Sequence, residues 1–162
     1  MGKLFVRIDD RLIHGQIVTA WGLNLGIKKI IAVDDTLASN PMLKSIMTMA
    51  APKEYEPEIV TAEEAKSLLA ANVDKNVLLI TRQCRNLKPL LENIKGAEHI
   101  NLGNISSQDN TAKVLDSGSG RTLSLTQDDL DTLDAAIADG GCVISQLLPS
   151  EKRYEYSELK AK

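Results

Sequence analysis

The chain has 162 residues, 43% of them hydrophobic and 25% charged, which is ordinary for a globular fold built around one core. Its net charge is −3 and only 3% of residues are aromatic, so neither a basic nucleic-acid footprint nor a base-stacking platform is expected. Two cysteines without C-x-x-C spacing exclude a disulfide framework, and no apolar run is long enough to cross a bilayer, so a cytoplasmic, single-domain protein spanning 1–162 is expected.

Strand and helix patterns alternate along the chain, which predicts an α/β fold: a twisted, largely parallel sheet with helices on both faces. Residues 4–8 read as the first strand, 9–16 as a turn, and a helix follows with Ile17, Val18, Trp21 and Leu25 on one face and Gly26 as its stop. The dense Ile-Ile-Ala-Val run of 29–33 suits a strand buried on both faces. Asn40-Pro41 opens a second helix, with Leu43, Ile46, Met47 and Ala50 as its apolar stripe. A third strand is expected over 55–60, nearer an edge, and Thr61 to Glu64 is a capping box for a helix to about Ala71. Strand 77–80, a helix over 87–94 and strand 100–102 follow. The polar stretch 106–120 reads as loop. A short strand at 122–125, a helix to about Asp139 and a last core strand at 142–147 complete the pattern, leaving a charged tail after Pro149.

Right-handed crossovers put the C-terminal ends of parallel strands on one edge, where ligand sites of such sheets lie. The loop Asp9-Asp10-Arg11-Leu12-Ile13-His14 falls on that edge, together with Asp34–Thr36, Thr81-Arg82 and Gly103-Asn104. An imidazole, a guanidinium and the free N–H groups of a helix start, those of Gly15 and Gln16, suit a phosphoryl group being received and passed on. The helix start disfavours added positive charge on His14, which keeps the ring nucleophilic. Asp9 reads as a loop-former that accepts backbone N–H bonds, and Asp10 as solvent-facing. The four carboxylates Asp9, Asp10, Asp34 and Asp35 lack the spacing of a metal site, so no metal and no cofactor are expected. His99, with no ligand partner nearby in sequence, reads as a surface or edge residue, and both cysteines as small buried hydrophobes.

Arg7-Ile-Asp-Asp-Arg-Leu-Ile-His-Gly-Gln16 resembles the active-site signature of the IIB components of the mannose/fructose/sorbose family of the bacterial phosphoenolpyruvate-dependent sugar phosphotransferase system. Ala32-Val-Asp-Asp35, Asn40-Pro41, Met49-Ala-Ala-Pro52 and Asn101-Leu-Gly-Asn104 extend the resemblance over nearly the whole chain. It implies a protein-phosphohistidine–sugar phosphotransferase. His14 would take a phosphoryl group on Nδ1 from a phosphohistidine of the IIA component and pass it to a sugar handled by the membrane components IIC and IID, which would recruit the chain to the inner face of the membrane. Arg11 would steady the phosphoryl group and Asp9 would hold the loop. Many members carry Gly-Gly-Met where this chain has Gly103-Asn104-Ile105; the Gly-Asn form resembles the N-acetylgalactosamine or galactosamine branch. The sugar stays open, and a homo-oligomer is allowed.

Two rival functions use the same scaffold. A receiver domain phosphorylated on aspartate would match Asp9-Asp10, but the third strand ends in Val60-Thr61 without an aspartate and the fifth in Leu102-Gly103 without a lysine. A regulator that binds phosphorylated partners without transfer has no need of an intact His14.

Overall fold

The computed structural model describes residues 1–106, 108, 110–117 and 121–161. Its centre is a seven-stranded sheet of order β3-β2-β4-β1-β5-β8-β9. The strands are β1 (Leu4–Ile8), β2 (Lys29–Val33), β3 (Glu58–Val60), β4 (Val77–Thr81), β5 (Ile100–Leu102), β8 (Val143–Ser145) and β9 (Tyr154–Glu155). Every pairing is parallel except β8 with β9 at one edge. A separate antiparallel sheet of order β10-β6-β7 joins β6 (Lys113–Asp116), β7 (Thr122–Leu125) and β10 (Lys160–Ala161). A single parallel bridge, Ile105 to Leu123, ties it to the chain leaving β5.

The sheet divides the apolar side chains into two clusters. Val6, Ile8, Ile31 and Leu79 face one side, packed with Leu87, Leu90, Leu125 and Leu133. Phe5, Ile30, Ala32, Leu78 and Ile80 face the other, packed with Val18 and Tyr55. The alternation of β1 thus points Arg7 to the second side with Phe5, as a buried charge in the middle of a central strand. β2 and β4 are buried at every position, as the Ile/Val-rich run of β2 predicts.

Helix α1 (Gly15–Leu25) buries Ile17, Val18, Trp21 and Gly22. It ends where Gly26 adopts a left-handed φ of 63° and its N–H returns to the carbonyls of Gly22 and Leu23. Thr61 and Thr126 cap α4 (Ala62–Ala71) and α5 (Gln127–Ala138) through capping boxes with Glu64 and Asp129.

Several expectations are corrected. The Asp34-Asp35-Thr36 stretch continues into a short helix α2 (Asp35–Ala38), because the Asp34 carboxylate accepts the Leu37 N–H. Helix α3 (Pro41–Thr48) begins at the Asn40 cap, yet buries no residue: Leu43 and Ile46 are 44% and 58% exposed, and only Met47 leans on the core. The third strand is confined to β3, since Tyr55 belongs to a 3-10 turn (Lys53–Tyr55). The helix expected over 87–94 is a 3-10 helix (Cys84–Leu90), in which Pro89 removes a donor. Strand β6 lies inside the stretch read as loop, where Val114 and Leu115 are flanked by polar residues; positions 107, 109 and 118–120 of that stretch lie outside the described residues. The charged tail contributes β9 and β10, both at sheet edges where polar strands are tolerated. Cys84 is buried, whereas Cys142 is half-buried beside Arg153.

Candidate active site at the end of the first strand

Strand β1 delivers Asp9 to the C-terminal edge of the sheet, where its carboxylate is 1% exposed. Asp9 Oδ1 accepts the Arg11 backbone N–H at 3.1 Å and Arg11 Nε at 2.9 Å, and Oδ2 accepts Arg11 Nη2 at 2.9 Å. The same Oδ2 also accepts Arg7 Nη2 at 3.3 Å and Nε at 3.4 Å. One carboxylate therefore holds two guanidiniums. Burial alone would raise the Asp9 carboxyl, but the hydrogen bond from Arg11 and the charge of Arg7 outweigh it and hold it below the usual carboxylate range. Asp9 and Arg11, singled out in the sequence, are brought together as a bidentate pair.

The turn is tightened by a bond from Leu12 N–H to the Asp9 carbonyl, and Leu12 takes a left-handed φ of 59°. A left-handed non-glycine residue costs about 1–2 kcal/mol, which burial of the Leu12 side chain at 2% exposure offsets. The loop is thus wedged into the core, and Ile13, also buried, fixes the following step.

His14 is the N-cap residue of α1, with extended backbone and a side chain that caps nothing. The ring is half-buried, and its Nδ1 is shielded from water without a hydrogen-bond partner. That nitrogen is therefore uncommitted to any protein group among the described residues. Gly15 and Gln16 open the helix, whose first N–H groups have no carbonyl four residues back and no acidic neighbour in the first turn.

Asp10 is not solvent-facing in the sense expected. Its Oδ1 accepts Asn104 Nδ2 at 2.7 Å and its Oδ2 accepts the Ser106 N–H at 2.8 Å, so it binds the loop after β1 to the loop after β5. The Gly103-Asn104 pair accordingly has a structural role. Asn104 holds Asp10, and Gly103 leaves room for a guanidinium: a Cβ there would stand 2.5 Å from Arg7 Nη2 and 2.9 Å from the Ile8 carbonyl.

Arg7 escapes a reading of the sequence as a site residue because it sits within a strand; its one visible signal is a charge inside an otherwise apolar run. It is 2% exposed, donates to the carbonyls of Gln146 and Leu147 at 3.3 Å each, and stands 5.8 Å from the Trp21 ring centroid. Burial lowers its guanidinium to about 10 despite the opposing charge of Asp9.

The remaining acidic residues are engaged by protein donors. Asp34 caps α2 and stands 3.6 Å from Arg82, and Asp35 accepts the Ala62 N–H at 3.0 Å. Among the described residues no group of three His, Cys, Asp or Glu is placed to hold a metal ion, and no helix is long and apolar enough to cross a membrane. His99 corrects another expectation: it is 8% exposed, 5.4 Å from the Phe5 ring and 6.5 Å from that of Trp21. It precedes β5, at the opposite end of the strands from His14.

The family model of the "PTS system sorbose subfamily IIB component" matches residues 3–162. The fructose-specific EIIB component of Bacillus subtilis (strain 168) is 24% identical over 161 residues, 98% of this chain and 96% of that protein. The mannose-specific EIIAB component of Escherichia coli (strain K12) is 30% identical over 112 residues, 67% of this chain and 34% of its own length, so the match spans about a third of that longer relative. The crystal structure of the N-acetylgalactosamine-specific IIB component 1 from Escherichia coli shares the fold, with a TM-score of 0.80 at 22% identity, covering 94% of this chain and 99% of that one.

Proposed function

Because the chain belongs to the sorbose-subfamily IIB components of the phosphotransferase system, a role in sugar phosphotransfer is its premise, and we propose that His14 is the residue that carries the phosphoryl group. The observation that carries this reading is the uncommitted imidazole nitrogen at the helix start, next in the chain to a loop whose guanidiniums are fixed by one buried carboxylate.

In the proposed step the P–N bond of a donor phosphohistidine on IIA breaks, and the donor nitrogen keeps the electron pair. The His14 Nδ1 lone pair forms the new P–N bond. The PO₃ unit passes as such, so the protein contributes positioning and charge stabilisation. Arg11 supplies positive charge and N–H donors, Asp9 orients Arg11, and the N–H groups of Gly15 and Gln16 receive phosphoryl oxygens. In the second half-reaction the phosphoryl group moves to a sugar presented by IIC and IID, with the chain acting at the cytoplasmic face of the membrane. The relatives are named for mannose, fructose and N-acetylgalactosamine. Asn104 is tied up with Asp10, so its presence bears on loop geometry before it bears on the choice of sugar.

The test is transfer from phosphorylated IIA to purified protein. Wild type takes up phosphate; His14→Ala takes up none; Arg11→Ala slows uptake by about 10²-fold or more. Uptake by His14→Ala at the wild-type rate would refute the assignment.

A further inference from the structure

Three buried side-chain polar atoms among the described residues make no hydrogen bond: Nδ1 of His14, Nε of Arg82 and Nε of Arg121. Each such atom costs about 1–3 kcal/mol, so three of them on one rim need a common reason. The three residues share an edge of the main sheet. His14 follows β1, Arg82 follows β4, and Arg121 lies against the loop after β5.

The two arginines differ in their charge partners. Arg82 stands 3.6 Å from Asp34 Oδ2 and is neutralised there. Arg121 makes no ion pair among the described residues. Its Nη1 donates to the Gly103 carbonyl at 2.6 Å and its Nη2 reaches Ser145 Oγ at 3.5 Å. Gly103 is also the residue whose missing Cβ makes room for Arg7. A continuous set of contacts therefore runs from Arg121 through Gly103 and Arg7 to Asp9 and Arg11. Arg7 and Arg11 share the buried Asp9 carboxylate, and Arg121 brings a third guanidinium to this loop, facing the charges of Glu151 and Asp9 without an ion pair to either. Half-burying a third cation there, with one N–H unpaired, is unfavourable for the empty protein and favourable for one holding an anion. Burial lowers the Arg121 guanidinium, with Glu151 and Asp9 opposing and Arg11 adding to the effect.

We propose that Arg121, delivered from the second sheet just ahead of β7, is a further phosphate-binding residue that meets the phosphoryl group together with Arg11. The proposal rests on the reading of His14 given above. It gives the three-stranded sheet a purpose, that of carrying a guanidinium to the rim of the main sheet.

Two variants separate charge from scaffolding. Arg121→Lys keeps the charge; Arg121→Gln removes it while keeping an N–H donor for Gly103. Binding of inorganic phosphate, followed by NMR shifts of the His14 ring, and the rate of uptake from phosphorylated IIA are measured for both. In Arg121→Gln, phosphate binding and uptake both fall about tenfold or more, whereas Arg121→Lys stays within about threefold of wild type. Wild-type binding and uptake in Arg121→Gln would overturn the proposal. Equal losses in both variants, matched by a lower melting temperature, would place Arg121 in the fold alone and overturn it as well. If the wild type itself takes no phosphate on His14, the reading of His14 fails instead, whatever the variants do.

Discussion

At the scale of single residues, the site is a problem of charge in a confined space. Asp9 is acceptor to five N–H donors from Arg7 and Arg11, so its two oxygens are saturated by the protein itself. Nothing is left over on Asp9 to attract a proton or a cation, and the loop it closes holds its guanidiniums without a ligand. Gly103 is the neighbour this arrangement cannot spare. Arg7 is buried and hydrogen-bonded on several sides, and the Ile8 carbonyl is backbone, so an added Cβ has no flexible chain end to push aside. Gly103→Ala is expected to lower stability by about 1–3 kcal/mol in urea titration, through overpacking, and to slow phosphoryl uptake by displacing Arg7. Unchanged stability and rate would show that the contact between the β5 loop and Arg7 is dispensable.

At the scale of elements, what the sequence pattern reveals depends on whether a feature is local. The loop with Asp9, Arg11 and His14 is a contiguous stretch between a strand and a helix, so its members and its edge of the sheet follow from order alone. The capping boxes at Thr61 and Thr126 are equally local. Arg7, Gly103 and Arg121 are not: they meet only because β5 pairs with β1 and the loop after β5 bridges to β7. No periodicity within one segment reports such a meeting. Helix α3 shows the converse failure. Its apolar residues recur at helical spacing, but spacing does not say whether another element covers them, and here only Met47 leans on the core. Ile46→Ser is therefore expected to change stability by less than about 0.5 kcal/mol, whereas Leu133→Ala in the buried face of α5 costs about 2–5 kcal/mol. Comparison of their denaturant midpoints checks this; an Ile46→Ser loss as large as that of Leu133→Ala would mean that α3 packs where it is exposed here.

At the scale of the whole molecule, the two histidines occupy opposite ends of the sheet and behave differently. His99 is enclosed by Phe5 and Trp21, and burial, with the charges of Arg153 and Arg7, lowers its imidazole to about 4. An unfolded histidine titrates near ~6.5, so the unfolded chain takes up the proton first as the pH falls. Stability contributed by neutral His99 is thus complete near pH 7 and is lost progressively toward pH 4, by up to about 3 kcal/mol. Asp9 acts in the same direction in stronger acid: its carboxyl is lowered on folding, so its contribution is present above the ordinary carboxylate value and disappears as the pH drops through the folded one. Urea midpoints at pH 7, 6 and 5 should fall in the wild type and fall less in His99→Phe. An equal fall in both would remove His99 from the account.

The same pair of histidines provides the most direct measurement of where the phosphoryl group goes. The chain contains only these two, and His99 is enclosed. After incubation with phosphorylated IIA, protein digested under alkaline conditions and sequenced by mass spectrometry should carry one phosphate, on the peptide containing His14. That phosphate should be labile to acid and stable to base. Phosphate found on an aspartate of the 9–10 pair, or on any residue other than His14, would contradict the account.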